Sequence, residues 1–93
     1  MEYEKAVTRH AKERIQQRQI PLGIVELITT FGESIQAKDG ARKYGLANQS
    51  LKKIRSLYGH GVAKALNQFR SVYVVEADGR VITTAYAKHP LFN

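Results

Sequence analysis

The clearest periodicity in the chain is a set of apolar residues at helical spacing in its first third. Four of them follow the pattern i, i+3, i+4, i+7, which puts them on one face of a helix: Ile24, Leu27, Ile28 and Phe31. Pro21 suits the first turn of such a helix, and Gly32 suits its C-terminal end. This segment therefore predicts a helix that packs against a core.

Another helix is predicted upstream, over residues 9–18. Thr8 is a suitable N-cap, and the residues after it are mostly good helix formers. A start nearer to Tyr3 is an alternative that the sequence leaves open.

Two Asp-Gly dipeptides, Asp39-Gly40 and Asp78-Gly79, mark tight turns. Both residues of such a dipeptide tolerate the positive φ angles that hairpin turns need. Residues rich in Val, Ile and Tyr flank the second turn, as expected of strands. The predicted strand pairs are 34–38 with 41–46, and 69–76 with 81–87.

A third helix is predicted between the two hairpins. Asn48 can cap it, and Gly59 can end it. A further helical turn is predicted over residues 62–66. The predicted buried face of the third helix consists of Leu51, Ile54, Leu57 and Tyr58.

This order of elements predicts an α+β fold of two helices, a β-hairpin, a third helix and a C-terminal β-hairpin. Helices packed on one face of a small antiparallel sheet would bury its core side. The 93 residues are enough for a single domain, residues 1–93, because two domains of half that length would each bury too little core.

Net charge is the feature of the composition that says most about the function. Fifteen Lys and Arg against eight Asp and Glu give a formal net charge of +7. No acidic residue stands between Asp39 and Glu76, whereas that interval holds seven basic ones: Arg42, Lys43, Lys52, Lys53, Arg55, Lys64 and Arg70. The pattern favours a polyanionic partner, and a merely solvated basic surface is the alternative.

Several function classes are disfavoured. Without cysteine there are no disulfides or thiolate metal sites, and three scattered histidines lack metal-ligand spacing, so no cofactor is expected. The first residues do not resemble a signal peptide, and the apolar stretch at 20–28 is too short to span a bilayer. A cytoplasmic protein without membrane contact is therefore expected.

The best candidate for chemistry lies on the first predicted helix. His10, Arg14 and Arg18 recur every four residues, so they form one slightly slanted stripe that drifts about 40° per step. Imidazole can transfer protons near neutral pH, and guanidinium groups can hold a phosphate. Val7, Ala11 and Ile15 have the same spacing and would face the core. The alternative is a solvated helix face with an incidental histidine.

The same helix carries a resemblance to a known family. Residues 8–20 have the sequence TRHAKERIQQRQI. This run resembles the opening helix of a small bacterial family of unassigned function, whose pattern is His-Ala-x-x-Arg, an apolar residue, two variable residues, Arg, then Gly-Ile or similar. The ending VITTAY, at residues 81–86, resembles that family's closing strand. The family is grouped with the barnase, EndoU, colicin and RelE (BECR) ribonuclease-toxin superfamily.

The chain departs from that family's pattern in two places. Gln19 stands where the family usually has glycine, and the middle of the chain, residues 47–68, is longer than the pattern.

The resemblance implies a RelE- or EndoU-like fold and metal-independent cleavage of RNA, in which a 2′-hydroxyl attacks the adjacent phosphorus. His10 is then the candidate base or acid, and Arg14 and Arg18 are candidate phosphate ligands.

Later residues complete the implied site. Lys43 and Tyr44 stand where the superfamily often places a charge stabiliser. Thr84 and Tyr86 alternate onto one face of the last strand. The threonine could donate to a phosphate oxygen, and the tyrosine could stack a base or donate a proton.

A further set of residues is predicted to contact RNA through ring stacking or phosphate binding: Tyr44, Lys52, Lys53, Arg55, His60 and Arg70. Three hypotheses follow for the function. They are a toxin-type endoribonuclease, a non-catalytic RNA- or ribosome-binding module, and a basic subunit that binds an acidic antitoxin or immunity protein. A monomer and a homodimer both fit the sequence.

Overall fold

The computed structural model describes residues 6–92, and within them four α-helices and five β-strands are found. The helices are α1 (Arg9–Gln17), α2 (Leu22–Phe31), α3 (Asn48–Tyr58) and α4 (His60–Leu66). The strands are β1 (Ala6–Val7), β2 (Glu33–Gln36), β3 (Arg42–Gly45), β4 (Val72–Ala77) and β5 (Arg80–Tyr86).

The strands form one sheet in the order β1-β5-β4-β3-β2. Strands β2 to β5 pair antiparallel with their neighbours, which confirms the predicted α+β class with its two hairpins. Strand β1 pairs with β5 in parallel and was not predicted. A two-residue strand is too short to have a periodicity that the sequence could reveal.

Helix α1 begins where the sequence predicts. The Thr8 hydroxyl accepts a hydrogen bond from the Ala11 backbone N–H at 3.2 Å, which caps the first turn. The chain just before it, at Ala6–Val7, is a strand. The alternative start near Tyr3 lies outside the described residues.

The backbone at the end of α1 has a conformation that favours glycine at position 19. The backbone N–H of Ile20 donates to the Ile15 carbonyl at 3.0 Å, and that of Gln19 donates to the Gln16 carbonyl at 3.3 Å. These two bonds define a Schellman motif, whose C′ residue is left-handed. Gln19 takes that position with φ 53°. A glutamine therefore adopts a conformation that suits glycine better.

Helix α2 has the predicted bounds, but its buried face is shifted by one position. Val25 and Ile28 are fully buried, whereas Ile24 and Leu27 are half-buried and line a surface groove. The residue at position 32, where the helix ends, has to be glycine, because a Cβ atom there would lie 2.6 Å from the carbonyl oxygen of Gly45. The glycine is needed for a close approach of two backbones, since its φ of −71° suits any residue.

Helix α3 differs from the prediction in its cap and in its buried face. The hydroxyl of Ser50 accepts from the Ala47 backbone N–H at 3.1 Å, so Asn48 is not the N-cap. Ile54 is fully buried, but Leu57 is 64% exposed and Tyr58 is 52% exposed. The prediction for those two residues was wrong because the last turn of α3 is only partly covered: the Tyr58 ring packs edge-to-face on Phe31 of α2, with ring centres 6.2 Å apart, and its remaining surface is exposed.

Both Asp-Gly turns are confirmed. Asp39 and Gly40 have φ angles of 57° and 77°, and Asp78 and Gly79 have φ angles of 52° and 74°. Strands β2, β3 and β4 are shorter than predicted, whereas β5 has the predicted length of seven residues and begins one residue earlier. Strand β4 begins at Val72 because residues 67–69 form a 3₁₀ turn that continues from α4.

The core lies between the helices and one face of the sheet, as predicted. Its fully buried members include Ala11, Val25, Ile28 and Ile54 from the helices and Val72, Val74 and Val81 from the sheet. Alternate residues of β4, such as Tyr73 and Val75, therefore point to the opposite face. Within residues 6–92, no helix is both long and apolar enough to cross a membrane.

Candidate functional site

The stripe on α1 that begins at His10 is an exposed line of hydrogen-bonding groups. Arg14 Nε donates to His10 Nε2 at 3.4 Å, and Arg14 Nη1 donates to Gln17 Oε1 at 3.3 Å. His10 is exposed and Arg14 is half-buried. The imidazole thus has a cationic neighbour and access to solvent, as the sequence predicts. Gln17, which the sequence analysis did not single out, belongs to the same line.

Arg18 joins the end of this stripe to the sheet. Its Nη1 donates to the backbone carbonyl of Thr84, on β5, at 3.4 Å. Eight residues separate Arg18 from His10, which corresponds to about 12 Å along a helix axis. The guanidinium of Arg18 therefore lies by the end of β5, close to where Tyr86 ends that strand.

The two predicted residues of β5 have different surroundings. Thr84 is fully buried, and its hydroxyl donates to the Tyr73 carbonyl at 2.8 Å. That hydroxyl is not offered to a ligand, so the predicted phosphate contact of Thr84 does not fit the structure. Tyr86 is 44% exposed and lies on the same face two residues later. Tyr86 is accessible to a ligand, as its predicted role requires.

The structure does not bring Lys43 together with His10. Lys43 pairs with Val75 on the face of the sheet that the helices leave open, and its Nζ lies 4.8 Å from the centre of the Tyr73 ring. Tyr44 points to the helix-covered face, where it is half-buried and packs against the core. Adjacent strand residues point to opposite faces, so Lys43 and Tyr44 cannot serve one site together.

A second basic region lies between α3 and α4. A groove of about 350 Å³ separates the two helices. Its lining includes four basic or titratable side chains, two from each helix, and four other residues: Lys52 and Arg55, His60 and Lys64, with Asn48, Leu51, Ala63 and Asn67. Three of the predicted RNA contacts, at positions 52, 55 and 60, therefore meet in one groove. This groove is called the α3–α4 groove below.

Two other predicted RNA contacts lie outside the lining of that groove. Lys53 is exposed on α3. Arg70 is half-buried, and its guanidinium donates to Asn48 Oδ1 at 3.1 Å and to the Phe92 carbonyl at 3.3 Å. Arg70 therefore connects the start of α3 to the C-terminal segment, and its charge is directed inward rather than toward a ligand.

Sequence reasoning named Lys64 only as part of a basic interval and Asn48 only as a helix cap. The available signal was spacing. Lys52 and Arg55 are three apart on α3, and His60 and Lys64 are four apart on α4, and both spacings put two residues on one helix face. The way the two faces meet depends on the bend at Gly59, which periodicity does not reveal.

Within the described residues, no three His, Asp or Glu side chains are grouped so that they could hold a metal ion. Searches against protein-family models, curated proteins and solved structures give no match to this chain. The proposals below therefore depend on the residues of this chain and their geometry.

Proposed function

We propose that this protein acts on RNA as a metal-independent endoribonuclease of the bacterial toxin type. The observation that carries the proposal is the exposed pair in which Arg14 Nε lies 3.4 Å from His10 Nε2. An imidazole beside a guanidinium combines a proton-transfer group with a ligand for a charged phosphate. A domain that only binds RNA has no need of that combination.

The proposed reaction uses the substrate's own nucleophile. A base removes the proton from a 2′-hydroxyl, the O2′–P bond forms, and the P–O5′ bond breaks. The products are a 2′,3′-cyclic phosphate and a 5′ oxygen that takes up a proton. His10 performs one of the two proton transfers. Arg14 stabilises the negative charge that grows on the phosphate oxygens. The exposed Tyr86 lies at the Arg18 end of the stripe, away from His10, so it is the candidate to stack a base of a neighbouring nucleotide.

A non-catalytic RNA-binding module is the second candidate. Two observations favour it. The Thr84 hydroxyl is already used by the Tyr73 carbonyl, and Lys43 lies on the other face of the sheet. Fewer candidate catalytic side chains therefore lie near His10 than the family resemblance implies. The α3–α4 groove would serve binding equally well with or without catalysis.

One experiment separates these candidates. Purified protein is incubated with total RNA in excess EDTA, beside the His10→Ala variant. We expect cleavage that survives EDTA and falls by about 100-fold or more in the variant, the usual size of a lost general acid or base. RNA that is shifted on a gel but stays intact would support the binding module. No cleavage and no shift would leave the hypothesis of a basic subunit held by an acidic partner protein.

A further inference from the structure

The α3–α4 groove presents positive charge from both of its walls. Lys52 and Arg55 stand three residues apart on α3, and His60 and Lys64 stand four apart on α4. Pairs at these spacings have Cβ atoms about 5–6 Å apart on one helix face. Three cations, Lys52, Arg55 and Lys64, and the His60 ring therefore line about 350 Å³ of open space.

Among the described residues, no acidic side chain lines this groove. Within residues 6–92, none of its four basic or titratable side chains forms a hydrogen bond or an ion pair with another side chain. Arg14 on α1 differs from these side chains, because its guanidinium forms hydrogen bonds with two side chains. Like charges gathered around one cleft repel one another. A bound anion would offset that repulsion.

The remaining lining fits a nucleotide better than a bare anion. Leu51 and Ala63 provide apolar surface between the charged pairs. Asn48 lines the groove, and its Oδ1 accepts from Arg70, so its amide nitrogen is the group left to donate. A volume of about 350 Å³ is near the lower end of small-ligand sites. One sugar-phosphate unit of a single strand fits this space, which is too small to enclose a duplex.

The groove and the Arg18 end of the α1 stripe lie toward the same end of the sheet, whereas His10 lies toward the other end, because the Thr8 backbone N–H donates to the Val81 carbonyl at 3.0 Å. Helix α3 starts just after Gly45, which pairs with Tyr73 near the start of β4. Tyr86, at the end of β5, pairs with Val72, and the Ala87 backbone N–H donates to the Ser71 carbonyl at 2.7 Å. Arg70 is next along the chain and contacts Asn48 in the groove. These contacts connect the groove to Tyr86.

We infer that the α3–α4 groove binds the sugar-phosphate backbone of single-stranded RNA, at a site separate from His10. The inference rests on the proposed function for its choice of RNA as the ligand. Lys52, Arg55 and Lys64 bind the phosphates, and the Asn48 amide and the His60 ring supply hydrogen-bond donors. The groove holds the strand while a neighbouring nucleotide is placed against the α1 stripe.

The test measures binding without cleavage. A short fluorescein-labelled oligonucleotide with 2′-O-methyl sugars lacks the attacking hydroxyl, so binding to it is independent of catalysis. Fluorescence anisotropy compares Lys52→Ala/Lys64→Ala with a matched control, Lys38→Ala/Arg42→Ala. The control removes the same number of charges at the other end of the sheet, in the β2–β3 hairpin, which is distant from both the groove and α1. All four side chains are exposed, and circular dichroism checks the fold of each variant.

We expect the groove variant to weaken binding about ten-fold or more, and the control to weaken it by less than about three-fold. Equal losses in the two variants would overturn the inference, because a diffuse basic surface would explain them. A wild-type protein that does not bind the oligonucleotide would also overturn it. Poly-glutamate that competes as well as unlabelled oligonucleotide would overturn it in favour of an acidic protein partner.

The outcomes distinguish this inference from the proposed function. Loss of oligonucleotide binding in the groove variant, together with no RNA cleavage by the wild-type protein, supports the groove and contradicts the ribonuclease. Cleavage that depends on His10, with binding unaffected by the groove variant, supports the ribonuclease and contradicts the groove.

Discussion

The two basic regions of this protein differ in what their cations contact. On α1, Arg14 bonds to His10 and Gln17, and Arg18 bonds to the Thr84 carbonyl, so each guanidinium is held in place by the protein. In the α3–α4 groove, the cations of two helices face an open space. Held groups suit chemistry, which needs fixed geometry. Open, mobile cations suit the binding of a flexible polyanion.

The two regions also differ in their relation to the family resemblance. The α1 stripe lies within residues 8–20, where the resemblance is most specific. The groove is built from residues 48–67, inside the segment that is longer than the family pattern. The proposed chemical stripe is thus in a part of the chain that the resemblance covers, and the groove is in a part that it does not cover. The predictions below test this division.

The largest effect is expected for cleavage in the Arg14→Ala variant. Removing the guanidinium beside His10 should lower the single-turnover cleavage rate by about 100-fold or more, since this is the usual loss for one group that stabilises transition-state charge. Arg9→Ala is the matched control, because Arg9 is exposed on the same helix and pairs only with Glu13 among the described residues, at 3.7 Å. Equal losses in the two variants would show that net charge, and not the stripe, is what matters.

The next effect concerns the dependence of binding on salt. For single strands, the slope of log affinity against log salt changes by about 0.7 for each phosphate contact. Lys52→Ala/Lys64→Ala should therefore reduce that slope by about 1.4 with the uncleavable oligonucleotide. Anisotropy titrations over a series of salt concentrations give the slope. A slope equal to that of wild type would mean that the groove lysines do not bind phosphates.

The bend between α3 and α4 depends on Gly59. Its φ of 96° and ψ of 168° lie in a region that is essentially restricted to glycine. Gly59→Ala should destabilise the protein by about 1–3 kcal/mol and weaken oligonucleotide binding, because the two groove walls would move apart or reorient. Urea denaturation measures the first effect and anisotropy the second.

Gly61 provides the control for that variant. It lies inside α4, its φ is negative, and a Cβ atom there would contact nothing within 4 Å. Gly61→Ala should stabilise the protein by about 0.5–1 kcal/mol. If both glycine variants changed stability in the same direction, the bend at Gly59 would not have the strain that its angles indicate.

The smallest effect is expected at the end of α1. Gln19→Gly should raise stability by about 0.5–1 kcal/mol, because glycine adopts the left-handed C′ conformation without steric cost. Gln17→Gly, two residues earlier in regular helix, should lower stability by about 1 kcal/mol. Thermal unfolding of the pair checks both signs. A loss of stability in Gln19→Gly would contradict the Schellman assignment.

Local rules predicted much of the fold. The Thr8 cap and the two Asp-Gly turns each depend on a few neighbouring residues, and the structure has all of them. The exposure of Leu57 and Tyr58 was missed because it depends on which elements pack over α3, and the pattern of a single helix does not contain that information.

The candidate site was predictable where it lies on one element and much less so where it joins several. His10 and Arg14 meet because both are on α1 at a spacing of four. Thr84 and Lys43 were chosen from positions on strands, but the strand register buries the first and turns the second away from the helices. The groove was partly predicted from charge, and its two-walled geometry depends on the angle between α3 and α4.

The division between a chemical stripe and a binding groove can be tested in one titration. Uniformly ¹⁵N-labelled protein is titrated with the uncleavable oligonucleotide, and amide shifts are followed by nuclear magnetic resonance. We predict that the largest shifts fall in residues 10–18 and 48–67, with little change at the β2–β3 turn around Lys38. Shifts concentrated instead on the open face of the sheet, around Lys43 and Tyr73, would contradict the account.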